Sequence, residues 1–235
     1  MELLRADIGD AGYPGSQKIV ENIKFSLFEG ELLGLIGPNG AGKSTILKTI
    51  MGLLPVRHSK IEFVGSNQSY AYVPEQPVLY DRLTLWEHLE LAGAAYELER
   101  REFKATAESL LKLFHLDKEK NYLPVNFSKG MQQKVMLVIG FLVKPDVYII
   151  DEPFMGLDPR ATKEFLQLLE KERQRGAGIL ISTHQLDVAE RICKSFLLIA
   201  DGNISAKGTL NDIRNQCNLP GGSLFDCFNK ILEGA

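Results

Sequence analysis

The chain has 235 residues, with 27 Lys+Arg against 30 Asp+Glu and a formal net charge of −3. Hydrophobic residues make up 45% and charged residues 24%, enough to bury a sizeable core, which excludes disorder and collagen-like repeats. Near-balanced charge supplies no basic surface, so no nucleic-acid partner is expected.

In chain order, the opening Met1-Glu2-Leu3-Leu4-Arg5-Ala6-Asp7 lacks the apolar stretch of a signal peptide. Short strands are expected at Glu2 to Asp7, Ile23 to Leu27 and Ile61 to Val64, forming an antiparallel edge. Leu32 to Ile36 is a compact apolar run ending at Gly37 and reads as a buried strand, with a helix from Lys43 to Met51 after it. From about Thr84 to Val143 the apolar residues fall at helical spacing with no strand between them, as in an inserted helical subdomain (about 84–143). The longest apolar run, Val135 to Val143, is about half a bilayer crossing, so any membrane link is expected to come through a partner.

Val147 to Ile150, Gly178 to Ser182 and Phe196 to Ile199 read as further buried strands, with a helix from Thr162 to Arg173. This alternation predicts an α/β core, a mostly parallel sheet with flanking helices. One domain over 1–215 and a C-terminal tail over 216–235, with an amphipathic piece at Leu224 to Leu232, complete the reading. Cys193, Cys217 and Cys227 are odd in number and lack CxxC spacing, which excludes a disulfide framework and fits a reducing compartment.

Gly37-Pro38-Asn39-Gly40-Ala41-Gly42-Lys43-Ser44-Thr45 fits GxxxxGK[ST] and lies between a buried strand and a helix, the context that the pattern requires. Its glycines let backbone N–H groups turn around phosphate oxygens, and the helix N-terminus adds a favourable dipole. Lys43 is then expected on the β- and γ-phosphates and Ser44 on Mg²⁺, which predicts a nucleotide site for a P-loop NTPase core. Asp151 and Glu152 end the strand Val147 to Ile150, at the sheet edge where ligands gather. Asp151 suits Mg²⁺ coordination, and Glu152 suits general-base activation of water.

The P-loop, Asp151-Glu152-Pro153, Gly156-Leu157-Asp158-Pro159 and Ser182-Thr183-His184 occur together in an order that resembles the ATP-binding-cassette (ABC) ATPases, over about Leu3 to Leu210. Phe127-Ser128-Lys129-Gly130-Met131 stands where that family has its LSGGQ signature, with Lys129 for the first glycine and Met131 for the glutamine. The resemblance implies that Ser128, Lys129, Gly130 and Met131 meet the γ-phosphate held by a second copy, in an ATP-dependent head-to-tail homodimer. It further implies His184 as the switch histidine, Asp158 as the link between the two sites, and Tyr13 as the aromatic stacked on adenine. A plain turn tyrosine in Gly12-Tyr13-Pro14-Gly15 is the other reading of Tyr13.

In Tyr72-Val73-Pro74-Glu75-Gln76 the place of the family's switch glutamine holds Glu75, with Gln76 one residue on; both remain candidates for Mg²⁺ and water, with Gln76 slightly favoured. The loop Pro77 to Leu89 follows, where the family receives a helix of its membrane subunit; Tyr80, Leu83 and Trp86 are either that contact or subdomain core. The expectation is an Mg²⁺-dependent ATPase subunit of a bacterial ABC exporter, most like Ecs-type and bacitracin-type ATPases. It would be peripheral on the cytoplasmic face of the membrane through an integral permease subunit. A soluble ABC ATPase of DNA repair or ribosomes fits less well, since there is one P-loop and no long heptad run. A P-loop kinase or GTPase lacks support, as no Asn-Lys-x-Asp occurs, and a silent cassette is opposed by both acids and His184.

Overall fold

The structure, a computed structural model, describes residues 1–13 and 18–233; the Pro14-Gly15 half of the turn after Tyr13 and the last two residues lie outside these. Two sheets sandwich one helix. β1 (Glu2–Ala11) pairs antiparallel with β2 (Val20–Phe28) on one side, and with β4 (Val56–Arg57) and β5 (Lys60–Phe63) on the other. The antiparallel strands expected at the N-terminus thus form a sheet of their own. Period-2 alternation drives this: Leu4, Ala6 and Ile8 of β1 and Ile23, Phe25 and Leu27 of β2 are buried, while most of their chain neighbours are not.

The second sheet has the order β10-β9-β3-β8-β7-β6. Its strands are β3 (Leu32–Ile36), β6 (Tyr70–Val73), β7 (Val147–Asp151), β8 (Gly178–Thr183), β9 (Ser195–Ala200) and β10 (Asn203–Gly208). All neighbours are parallel except β10, which turns back along β9. Both faces are covered, which is why β3, β7 and β8 read as continuous apolar runs rather than alternating ones. Leu33, Leu35, Val147 and Ile149 pack toward the antiparallel sheet and α1 (Lys43–Ile50), through Ile46 and Leu47.

Leu32, Tyr148, Ile150, Ile179 and Ile181 face the other way, into a cluster shared with α2 (Leu85–Ala95), α3 (Arg100–Leu113), α4 (Lys129–Leu142) and α5 (Pro159–Arg175). The three helices expected between Thr84 and Val143 therefore share one buried cluster with the sheet. α2 begins at a capping box in which Thr84 and Glu87 satisfy each other's backbone N–H groups. A third cluster joins Ile36 and Leu198 to α6 (Leu186–Ile192), α7 (Leu210–Gln216) and α8 (Leu224–Glu233). Within the segment expected as a tail, Leu224–Glu233 thus forms a packed helix, and the three cysteines are free thiols. Among the described residues no helix is long and apolar enough to cross a membrane.

Neighbouring strands β3, β8 and β7 end side by side. Register puts Ile36 beside Thr183 and Asp151 beside Ser182, so the turns after these strands converge at the carboxyl edge of the sheet.

Candidate active site

The turn after β3 is built by necessity from glycine. Gly40 and Gly42 sit at φ 83° and 102°, in the left-handed region, and a Cβ on Gly42 would collide with Val20. The turn delivers Lys43 to the first position of α1, where its side chain is 7% exposed. Its Nζ donates to the carbonyls of Gly37 (2.9 Å) and Pro38 (3.2 Å) and lies 3.7 Å from Glu152 Oε1. The cradle is thus folded around its own ammonium group.

Asp151 and Glu152 are 2% and 6% exposed. Among the described residues the one hydrogen bond to the Asp151 carboxylate comes from the hydroxyl of Ser182, a neutral donor. A buried carboxylate supported so thinly suits a cation. Ser44, on the first turn of α1, adds a hydroxyl, and no cluster of three or more His, Cys, Asp or Glu residues among those described forms a complete metal cage. One carboxylate and one hydroxyl fit Mg²⁺, which keeps waters and takes substrate phosphates as its remaining ligands.

Glu152 has φ 46°, an uncommon value for a residue with a Cβ. Two hydrogen bonds hold it there, from its N–H to the carbonyl (3.2 Å) and hydroxyl (3.1 Å) of Ser182. The twist separates its carboxylate oxygens. Oε2 receives Nδ1–H of His184 (2.8 Å), whereas buried Oε1 has no hydrogen-bond partner. One oxygen is oriented by a histidine and the other stays open toward Lys43, which is the arrangement of a base awaiting a proton.

These residues enclose a cavity of 530 Å³ lined by Ile19, Asn39, Gly40, Gly42, Lys43, Ser44, Thr45, Glu75, Glu152, Met155 and His184. Gly37, Pro38 and Ala41 form the back of the loop, and Asp151 lies beneath it. Gln76 and Tyr13, expected at the nucleotide, are not among the lining residues either. Glu75 and Gln76 are both exposed, and of the two Glu75 lines the cavity. Burial, then the charges of Asp151 and Glu75, pushes the Tyr72 phenol well above its ordinary range. Tyr13 lies against α1 instead of on the wall, with its hydroxyl 3.2 Å from Lys48 Nζ, which also sits 5.5 Å from the ring centroid.

Ser128 caps α4, its hydroxyl accepting the Met131 N–H (3.3 Å), and it is exposed beside Lys129. None of Ser128, Lys129, Gly130 or Met131 lines the cavity of its own chain. Gly130 is required by packing: a Cβ there would collide with the carbonyl oxygen of Gly156, in the loop leading to Asp158. Asp158 caps α5 through the Ala161 N–H (2.8 Å) and accepts from Lys134 Nζ (2.7 Å) on α4. The hydrogen bond from Lys134, then that from Ala161, holds its carboxyl down at about 2. The serine-bearing turn and the Asp158 loop are thus tied together within one chain.

Sequence reasoning missed Ile19 and Met155 on the wall, Ser182 beneath the two acids, and the Lys134–Asp158 pair. Ser182 alone carried a signal, being opposite the acids once β7 and β8 are neighbours.

A phosphate cradle, a buried carboxylate pair and an orienting histidine at adjoining strand ends define an ATP-binding cassette of the P-loop ATPase class. The model of the family described as "ABC transporter" matches residues 20–155. The chain is 50% identical to the uncharacterized ABC transporter ATP-binding protein YthP of Bacillus subtilis (strain 168), over 99% of this chain and 98% of that one. It is 40% identical to the ABC-type transporter ATP-binding protein EcsA of the same organism, with the same coverage. A solved structure of an ATP-binding subunit of an ABC transporter superposes with a TM-score of 0.92 at 43% identity, covering 98% of this chain and 99% of that one. The chain belongs to the ABC transporter family and is an ATPase, the ATP-binding subunit of such a system.

Proposed function

We propose that this chain hydrolyses ATP with Mg²⁺ at a head-to-tail interface between two copies, and that closure and reopening of this dimer drives an integral membrane subunit of a bacterial exporter. The observation that carries the reading is the divided carboxylate of Glu152, held by His184 on one side and open to the cradle on the other.

In the mechanism, Lys43 leaves the Gly37 and Pro38 carbonyls for the β- and γ-phosphates, while the backbone N–H groups of Asn39 to Thr45 surround them. Ser44 and Asp151 would hold Mg²⁺, in the cavity that Glu75 also lines; when bound, that ion would draw charge from the phosphate oxygens. Glu152 Oε1 takes the proton of the attacking water, and His184 keeps the carboxylate aimed. Ser128, with Lys129, Gly130 and Met131, seals the γ-phosphate from the second copy, and Asp158 passes closure between the sites. The exposure of Ser128, Lys129 and Asp158 on the chain's own surface supports this role in trans. Replacing Lys43 by Ala is expected to weaken ATP binding about tenfold to a hundredfold, since charged hydrogen bonds contribute roughly 1.5–3 kcal/mol each. Titration of nucleotide into the purified variant measures this; unchanged affinity removes Lys43 from the phosphates.

The membrane subunit is assigned to the loop between β6 and α2, with the assembly peripheral on the cytoplasmic face. Tyr80 is 62% exposed there, and its backbone N–H is fixed by His88 Nε2 (2.9 Å). Trp86, by contrast, packs edge-on against Phe103 at 5.5 Å and donates to Glu90, so it serves the subdomain core. Tyr80→Ala is expected to weaken co-purification with the membrane subunit about thirtyfold, the size of an aromatic hot spot. ATP binding should be untouched; undiminished co-purification would remove Tyr80 from the contact.

A further inference from the structure

The His184 side chain is nearly half exposed, and its one side-chain hydrogen bond among the described residues reaches Glu152. Its position is therefore set by the backbone on which it stands, the turn between β8 and α6. That turn is fixed on the sheet side by the Gln185 N–H, which donates to the hydroxyl of Thr183 (3.0 Å). On the other side it continues into α6, a helix of two turns and too short to hold itself in place.

α6 is held on one side by Val188 and Ile192, which pack against the sheet's main cluster, and on the other by the C-terminal helix. Ala189 of α6 is buried in the cluster that contains Leu224, Cys227 and Phe228 of α8, together with Ile36 at the foot of the P-loop. α8 already has a cap of its own, since Ser223 and Asp226 exchange hydrogen bonds across its first turn. Yet the N–H of Leu224 is bonded from outside, by Glu190 Oε2 of α6 at 2.7 Å. A carboxylate at a helix N-terminus gains from the dipole as well as from the hydrogen bond. This joint has no part in capping α6, and its geometric effect is to fasten one helix to the other.

We infer that α8 is a brace for the switch histidine and that Glu190 is a positioning residue for His184, acting through α6. This rests on the role assigned to His184 above. With the joint released, α6 can shift as a unit, and a displacement of about 1 Å at a reacting group can cost on the order of a hundredfold in rate. The shift at His184 is smaller, because Thr183 and Glu152 still hold it. α1, which carries Lys43 and Ser44, packs in the cluster on the opposite face of the sheet through Ile46 and Leu47 and keeps those contacts.

The test uses the full-length chain and four variants: Glu190→Ala, Glu190→Asp, Glu190→Gln and His184→Ala. Glu190→Ala is expected to lower kcat for ATP hydrolysis about tenfold with little change in KM or in ATP affinity, a loss confined to the chemical step. Glu190→Asp, which keeps the charge but shortens the reach, should behave likewise and guards against a folding defect in the alanine variant. Glu190→Gln retains an oxygen to accept the Leu224 N–H and should recover most of the rate. In the His184→Ala background, Glu190→Ala should cost nothing further, because residues acting through one another are not additive. An unchanged kcat in Glu190→Ala and Glu190→Asp, or the same tenfold loss in both backgrounds, would overturn the inference. A fully active His184→Ala variant would instead overturn the role assigned to the histidine.

Discussion

Glu152→Gln is expected to retain ATP and to lose hydrolysis by about 10² to 10⁴-fold, the usual contribution of a positioned general base. The substitution is mild in every respect but one. Gln can occupy the same left-handed backbone as Glu, its amide oxygen can still accept from His184 Nδ1, and the hydrogen bonds from its N–H to Ser182 are backbone-determined. What disappears is the second oxygen, now unpartnered, that would receive a proton. Replacing it also removes the negative charge 3.7 Å from Lys43, which leaves the ammonium free to serve phosphate. The variant should therefore collect as an ATP-loaded dimer, visible by size-exclusion chromatography in the presence of ATP and Mg²⁺. Hydrolysis at the parent rate would remove Glu152 from the chemistry, and a variant that stays monomeric with ATP bound would remove the ATP-dependent dimer.

Gly130→Ala should produce the second large effect, though neither Gly130 nor its neighbour Gly156 touches the cavity. The added methyl has no flexible side chain to displace; it meets the backbone oxygen of Gly156. Either α4 or the loop leading to Asp158 must move, and overpacking of this kind costs about 1–3 kcal/mol. The Lys134–Asp158 ion pair ties the same two segments, so the strain spreads into the cap of α5. Turnover should fall on the order of a hundredfold, the consequence of misplacing a closing surface by about an ångström. Binding of nucleotide to the monomer should be spared. Paired measurements of ATPase rate and nucleotide affinity decide the matter: wild-type turnover would mean that the close approach is dispensable.

Much of this molecule is legible in the sequence because the informative features are local. The P-loop announces itself through its glycines, and two of them take backbone angles that other residues avoid. β3, β7, β8 and β9 are buried on both faces and are written as unbroken apolar runs. Ser128 and Asp158 sit one residue before their helices, where short polar side chains belong.

Other features depend on distant parts of the chain meeting. β6 is four residues long, and only pairing with β7 makes it a strand. Lys134 and Asp158 are far apart in sequence, and their ion pair follows from how α4 and α5 are set against each other. The choice between Glu75 and Gln76 turns on the path of a loop that bends at both residues, which no sequence periodicity describes. The C-terminal segment gave a helical period but no hint that its apolar face would reach Ile36, at the end of β3.

The resting posture of Lys43 has a consequence for what can enter the cradle. Its ammonium group is already satisfied by two carbonyl oxygens and a nearby carboxylate. Admission of a ligand is therefore a swap in which these partners are surrendered before new ones are gained. Only a guest rich in negative oxygen can compensate that surrender, so a bare nucleoside meets a pocket with nothing to offer it. Discrimination for the triphosphate tail over the base begins at this exchange.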